Sequence, residues 1–233
     1  QDIPQLILEK NLFGLDIDER AAQLTGFALM MKGRHDDRRL FERGVKLNVM
    51  AVQDSTEFDA EGLAKAVDLS NYGLKPSDVT ELKQLFEHAT TFGSLIQVPC
   101  GLASKLPALR QLSERTSQDL FVSDALKHLG PLARQAEMLS AQYDAVVANP
   151  PYMGSKYYTP LLKEFVNAAY EAGKADLYGA FTLRNVQLAK QAGRVGMISI
   201  PNWMFLTSFE QMRIAVFDNA PIESLVHNGR GVW

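Results

Sequence analysis

Tyr143-Asp144-Ala145-Val146-Val147-Ala148-Asn149-Pro150-Pro151-Tyr152 is the stretch that decides how this chain is built. Its first six residues form a short apolar run with β-branched residues at the centre, the pattern of a buried strand. Two prolines then forbid helix, because each fixes its own φ and pushes the preceding residue toward extended backbone. A strand running straight into a stiff, non-helical loop places Asn149 to Tyr152 at the carboxyl edge of a sheet. Open α/β folds keep their ligands at that edge.

Upstream, Leu12 to Asp18 reads as a short buried strand ending in acids, and Glu19 to Met31 as a helix offering Ala22, Phe27 and Met30 to a core. Val45 to Val52 resembles a further strand. Between Ser55 and Leu120 the pattern is helical, over Ala60 to Leu69, Pro76 to Thr90 and Ser104 to Arg115. That is too long for a connection, so it reads as an inserted helical subdomain dividing the chain into 1–54, 55–120 and 121–233. Leu129 to Gln142 returns the chain to the sheet. Past the motif come a loop at Met153 to Tyr158, helices at Pro160 to Ala172 and Asp176 to Gln191, and a glycine turn at Gly193 feeding a buried strand to Ile200. Pro201-Asn202-Trp203 closes that strand, and a helix at Ser208 to Asn219 and a late strand at Ile222 to His227 follow. Strands alternating with helices predict an α/β fold with a doubly wound, mostly parallel sheet.

The chain has 233 residues and an apolar fraction of 46%, ordinary for one large globular domain. No segment has the length of a membrane span, and the amino terminus lacks a secretory pattern, so a cytoplasmic location is expected. Cys100 is the single cysteine, which excludes an internal disulfide, and His35, His88, His128 and His227 show no metal-ligand spacing. A net charge of −3 argues against a surface that grips phosphates widely. The most basic cluster, Lys32, Arg34, Arg38 and Arg39, is broken by Asp36 and Asp37 and reads as a solvated helix end.

Asn149-Pro150-Pro151-Tyr152 looks like the target-base pocket of an amino-group methyltransferase. An exocyclic amine on adenine is a poor nucleophile while its lone pair is delocalised into the ring. The Asn149 side-chain oxygen and the Pro150 carbonyl are two acceptors that draw the nitrogen toward tetrahedral geometry. Tyr152 adds a flat face on which a base taken out of a duplex stacks. Lys156, Tyr157 and Tyr158, in the loop that follows, are candidate contacts to a nucleic-acid backbone. The plain alternative is a turn that ends a strand and exposes a tyrosine.

In nucleotide-binding folds of this type, an acid at the tip of the second strand takes the ribose hydroxyls of the cofactor, about 20 residues beyond a glycine-rich loop. Asp16 has that position, and Ile17 would cover one face of the cofactor's adenine. Gln53 and Asp54 stand where the next strand ends, level with the cofactor base. Counting back from Asp16 runs off the beginning of the chain, so the glycine loop is expected in a preceding part of a longer protein. Asp18 suits a helix cap, as does Asp176.

Four segments resemble, in order, blocks of the gamma-type adenine-N6 DNA methyltransferases: Phe13 to Asp18, Asn149 to Tyr152, Asp176-Leu177-Tyr178-Gly179-Ala180-Phe181, and Gly193 to Trp203. Within that group, the helical insertion and the stretches Asn149 to Lys156 and Asn202 to Glu210 are most similar to the PglX methyltransferases of bacterial BREX phage-defence systems. The resemblance implies a Rossmann-like fold and S-adenosylmethionine as cofactor. Asp16 would hold the ribose, Asn149 and Pro150 the adenine amine, and Tyr152 and Trp233 the two faces of the flipped base, while Asp176 borders the methionine end. It also implies double-stranded DNA as substrate, held largely by regions outside this chain, with other defence-system proteins as partners and no membrane. By itself this segment would be catalytically incomplete. Two other readings use the same residues: a glutamine or RNA methyltransferase with the same pocket, and a non-catalytic scaffold in which the pocket is vestigial.

Overall fold

The structure is a computed structural model that describes residues 3–227 and residue 229. It consists of two compact units, residues 1–140 and 141–233.

In the first unit β1 (Phe13–Asp16) pairs in parallel with β2 (Asn48–Ala51), Phe13 opposite Asn48 and Asp16 opposite Ala51. The crossover carries α1 (Glu19–Asp36), which starts where the Asp18 side chain accepts a hydrogen bond from the Arg20 N–H at 2.8 Å. The cap fixes the helix start directly behind the strand's acids. The helix continues past Met31 because Lys32-Gly33-Arg34 contains no proline, and Arg34 and His35 in its last turn suit the carboxyl-end dipole. The basic cluster is therefore a helix end, with Arg34 over the Phe41 ring and Arg43 paired with Asp37 at 2.8 Å. Phe27 is exposed rather than in the core, because a two-stranded sheet covers only one side of α1.

The helical stretch contributes α2 (Ala60–Ala66), α3 (Pro76–Leu85) and α4 (Leu106–Ser113). Asp59 caps α2 through the Gly62 N–H, and the Asp78 carboxylate accepts from the Lys75 N–H ahead of Pro76 in α3. Next comes α5 (Leu120–Ser140), which begins well before Leu129 because Asp119 accepts from the Phe121 and Val122 N–H groups. Pro131 lies inside it, and the helix runs unbroken through Gly130-Pro131 from a start upstream of the expected Leu129. Leu63, Val79, Leu82, Leu109, Leu112 and Leu129 are fully buried in one core, which also takes in Val52 after β2 and has Leu15 of β1 packed against it. Each such side chain contributes about 1.5–3 kcal/mol, so this core fixes the end of β2 against the helices.

In the second unit β3 (Tyr143–Ala148) pairs in parallel with β4 (Ala189–Met197). Tyr143 lies opposite Ala189 but Ala145 lies opposite Arg194, so β4 bulges between them. A Cβ on Gly193 would sit 2.9 Å from the Tyr143 carbonyl oxygen, and only glycine fits the bulge. Hence Gly193 lies within the strand, and α7 (Leu177–Leu188) leads into β4 without the turn the sequence predicts. Before it, α6 (Pro160–Ala169) is capped by Thr159, and α8 (Glu210–Asn219) packs Met212 and Val216 with Tyr178 and Phe209. Gly179 explains the small residue within Asp176 to Phe181: a Cβ there would meet the Gly173 carbonyl oxygen at 2.7 Å.

The described strands form two parallel pairs within a mixed α/β chain. Two expectations are corrected. The β3 residues are accordingly not buried as read, Val147 being 84% exposed, because each strand has only one neighbour. Residues 222–227 form no strand, although Glu223 is paired with Arg194 of β4, and Leu225 and Val226 are exposed.

Gly179→Ala tests the close approach at the second unit's centre. The added methyl meets backbone, so chemical denaturation is expected to show a loss of about 1–3 kcal/mol; an unchanged midpoint contradicts the packing.

Candidate functional site

In the first unit the carboxyl ends of β1 and β2 open into a cleft of about 560 Å³ lined by Ile17, Glu19, Gln53, Asp54, Thr90 and His128 among others. That lies within the usual range of about 300–1,000 Å³ for small-molecule sites. Ile17, 60% exposed, is an apolar face at the entrance. Asp16 ends β1 and is exposed, its Oδ1 accepting from the Asp18 N–H at 2.8 Å; it precedes Ile17 without itself lining the cleft. Such a lining covers a flat ring and accepts hydrogen bonds from hydroxyl or amine groups.

Gln53 and Asp54 are held by residues distant in sequence. The Gln53 N–H donates to Gln135 Oε1 at 2.9 Å and Gln135 Nε2 donates to the Gln53 carbonyl at 2.9 Å. Asp54 accepts from the Thr90 N–H at 2.8 Å on one oxygen and from the Thr90 hydroxyl at 2.9 Å on the other. Sequence reasoning missed Gln135 and Thr90. Gln135 had a signal: it lies on α5 at helical spacing with Leu132 and Leu139, an amide at an otherwise apolar position, and it is fully buried.

In the second unit Asn149 follows β3 with its side chain exposed, and Pro150 is buried against the unit. The Tyr152 hydroxyl donates to Asn149 Oδ1 over a long 3.4 Å, and its ring meets Tyr178 edge to face at 6.1 Å. Tyr178 is in turn stacked on Phe209 at 5.4 Å, so the Tyr152 ring rests on the aromatic core of the unit while staying 46% exposed.

Asp176 fixes the loop beyond the motif. It caps α7 through the Tyr178 N–H and accepts from the Met153 N–H at 3.0 Å, while the Leu177 N–H donates to the Met153 carbonyl at 2.9 Å. Burial pushes its carboxyl above the usual range, against the pull of the N–H groups of Tyr178, Met153 and Leu177. The Tyr158 hydroxyl is buried beside it without a hydrogen bond, its phenol pushed up by burial and by Asp176. Lys156 lies over the Tyr157 ring at 4.7 Å. Trp233 falls outside the described residues.

The family profile for the Eco57I restriction-modification methylase matches residues 10–233. The chain belongs to that family. It is 40% identical over 98% of its length to the adenine-specific methyltransferase BrxX of Escherichia coli O9:H4 (strain HS), and 37% identical over 98% to the adenine-specific methyltransferase PglX of Lacticaseibacillus casei (strain Zhang). It spans 21% and 19% of those relatives, about a fifth. The methylase family match takes in both units and both strand-end sites.

Two predictions follow from Gln135 and Asp176. Gln135→Leu leaves the Gln53 peptide unpaired in the methylase core, so a loss of about 1–3 kcal/mol is expected in urea denaturation; an unaffected midpoint contradicts the clasp. Folding raises the Asp176 pKa, so its contribution is full below the unfolded value of about 4 and lost as pH climbs through the folded value. Asp176→Asn keeps an acceptor and cannot ionise. Its stability relative to the parent is therefore expected to improve from about pH 4 to about pH 7, and an equal difference at both ends contradicts the burial of a charge.

Proposed function

We propose that this chain is a segment of an S-adenosylmethionine-dependent methyltransferase that places a methyl group on N6 of an adenine flipped from duplex DNA, in restriction-modification or BREX-type phage defence. Asn149 carries the reading: an exposed carboxamide at the carboxyl end of β3, followed by the buried Pro150 and the half-exposed ring of Tyr152. The names of the two relatives, both adenine-specific methyltransferases, support it.

Asn149 Oδ1 and the Pro150 carbonyl accept the two N–H groups of the amine, which localises the lone pair without removing a proton beforehand. In this reading the amine takes over the place at Asn149 Oδ1 that the Tyr152 hydroxyl holds only weakly. Pro150 and Pro151 keep both acceptors fixed, so their alignment costs no reorganisation as charge develops on the nitrogen. Tyr152 stacks on the base and replaces part of the stacking lost on flipping.

S-adenosylmethionine, when bound, supplies an electrophilic methyl on a sulfonium sulfur. Asp16 and Ile17 would hold the ribose and one face of the cofactor's adenine, Gln53 and Asp54 its edge, and Asp176 the methionine end. The exposed apolar face of Ile17 and the polar ends of β1 and β2 fit a nucleoside. The proposal includes a doubly wound Rossmann-like fold, with residues 55–120 inserted between 1–54 and 121–233. It also includes a cytoplasmic location, a second stacking face from Trp233, and DNA held largely by regions outside this chain, in keeping with the net charge of −3. Other defence-system proteins are its partners.

Transfer of labelled methyl to duplex DNA by the complete protein tests the reading. Asn149→Ala is expected to lower turnover by about 10²–10³-fold or more with cofactor binding retained, and equal turnover contradicts it, as does label found only on protein glutamine. Tyr152→Phe keeps the stacking face and most of the turnover, whereas Tyr152→Ala loses roughly tenfold or more through base binding; a Phe variant as impaired as the Ala variant would make the hydroxyl, not the ring, the working group.

A further inference from the structure

The loop Gln53–Phe58 is held far more firmly than a strand connection requires. Gln135 and Thr90 hold Gln53 and Asp54, and the buried Ser55 takes two further bonds, its N–H to the Phe86 carbonyl at 2.9 Å and its hydroxyl to the Lys83 carbonyl at 2.5 Å. Phe58, 1% exposed, then anchors the loop in the core of the first unit. The helical stretch and α5 therefore supply Thr56, Glu57, Phe58, Thr90, His128 and Leu132 to the cleft wall, beside the strand ends. Two polar groups on that wall face each other. His128 Nε2 lies 3.3 Å from the Glu57 carboxylate. His128 Nδ1 is buried without a hydrogen bond, with Asp124 at 3.7 Å, so the imidazole is braced between two acids while Glu57 stays 81% exposed.

We infer that the helical stretch is a working wall of the cofactor cleft: Glu57, held by His128, accepts a hydrogen bond from the nucleoside part of the cofactor, and Thr90, acting through Asp54, is a positioning residue for it. The inference rests on the proposed methyltransferase reading and extends it to residues outside the four segments that resemble the methyltransferase blocks. A carboxylate braced by an imidazole at the mouth of a cleft suits a donor on a nucleoside, and the pinned loop holds it in place before the ligand arrives. The stretch is then part of the site and not an appendage.

Calorimetry on the complete protein, with S-adenosylhomocysteine and with 5′-methylthioadenosine, which lacks the amino acid, tests this. Glu57→Ala, His128→Ala and Thr90→Val are each expected to weaken both ligands by the same factor, roughly tenfold, the scale of one hydrogen bond, and Thr90→Ser is expected to restore binding. Turnover at saturating cofactor should stay within about twofold, because the lost contact is uniform binding. Glu57 is exposed, so its variant folds. Unchanged affinity in all three variants, or a loss confined to S-adenosylhomocysteine, overturns the inference while leaving the methyltransferase reading intact. A parent protein that binds neither ligand overturns both.

Discussion

Beyond the last pair of a short parallel ladder the backbone still presents donors and acceptors, and burying one unpaired costs about 1–3 kcal/mol. Both units meet that constraint with a polar side chain brought in from elsewhere. In the first, Gln135 completes the Gln53 peptide as a neighbouring strand would, and in the second Asp176 takes the Met153 N–H just past the motif. The loops that carry the candidate chemistry are thereby fixed in structures with very little sheet. A loop tied in this way can hold polar groups such as Asp54 in one orientation, which is what a preorganised site requires.

The two clasps differ electrostatically. Gln135 is neutral, fully buried and paired at both ends of its amide, an arrangement that carries no pH dependence. Asp176 holds its loop with a carboxyl that burial pushes up, beside the buried phenols of Tyr158 and Tyr178. The clasp beyond the motif is therefore sensitive to protonation, whereas the Gln135 amide clasp in the first unit is not.

Local features were legible in the sequence. The run from Tyr143 to Ala148 is the observed strand, Asp18 and Asp176 are helix caps, and the prolines keep Asn149 to Tyr152 out of helix. What could not be read was tertiary. The Gln53–Gln135 clasp spans 82 positions and the Asp54–Thr90 pair 36, and no periodicity or spacing records such a meeting. The start of α5 was hidden by Gly130-Pro131, and Gly193 read as a turn because a bulge and a turn both ask for glycine. Residues 222–227 have strand composition, yet composition supplies no partner.

The proposed account turns on one placement, the amine of a flipped adenine between two fixed acceptors. A structure of the complete protein with S-adenosylhomocysteine and a duplex carrying its target adenine measures it directly. The account predicts the adenine N6 within about 2.7–3.2 Å of both Asn149 Oδ1 and the Pro150 carbonyl oxygen, with the base lying on Tyr152. An adenine amine bound by other groups, with Asn149 still closed on the Tyr152 hydroxyl, contradicts it.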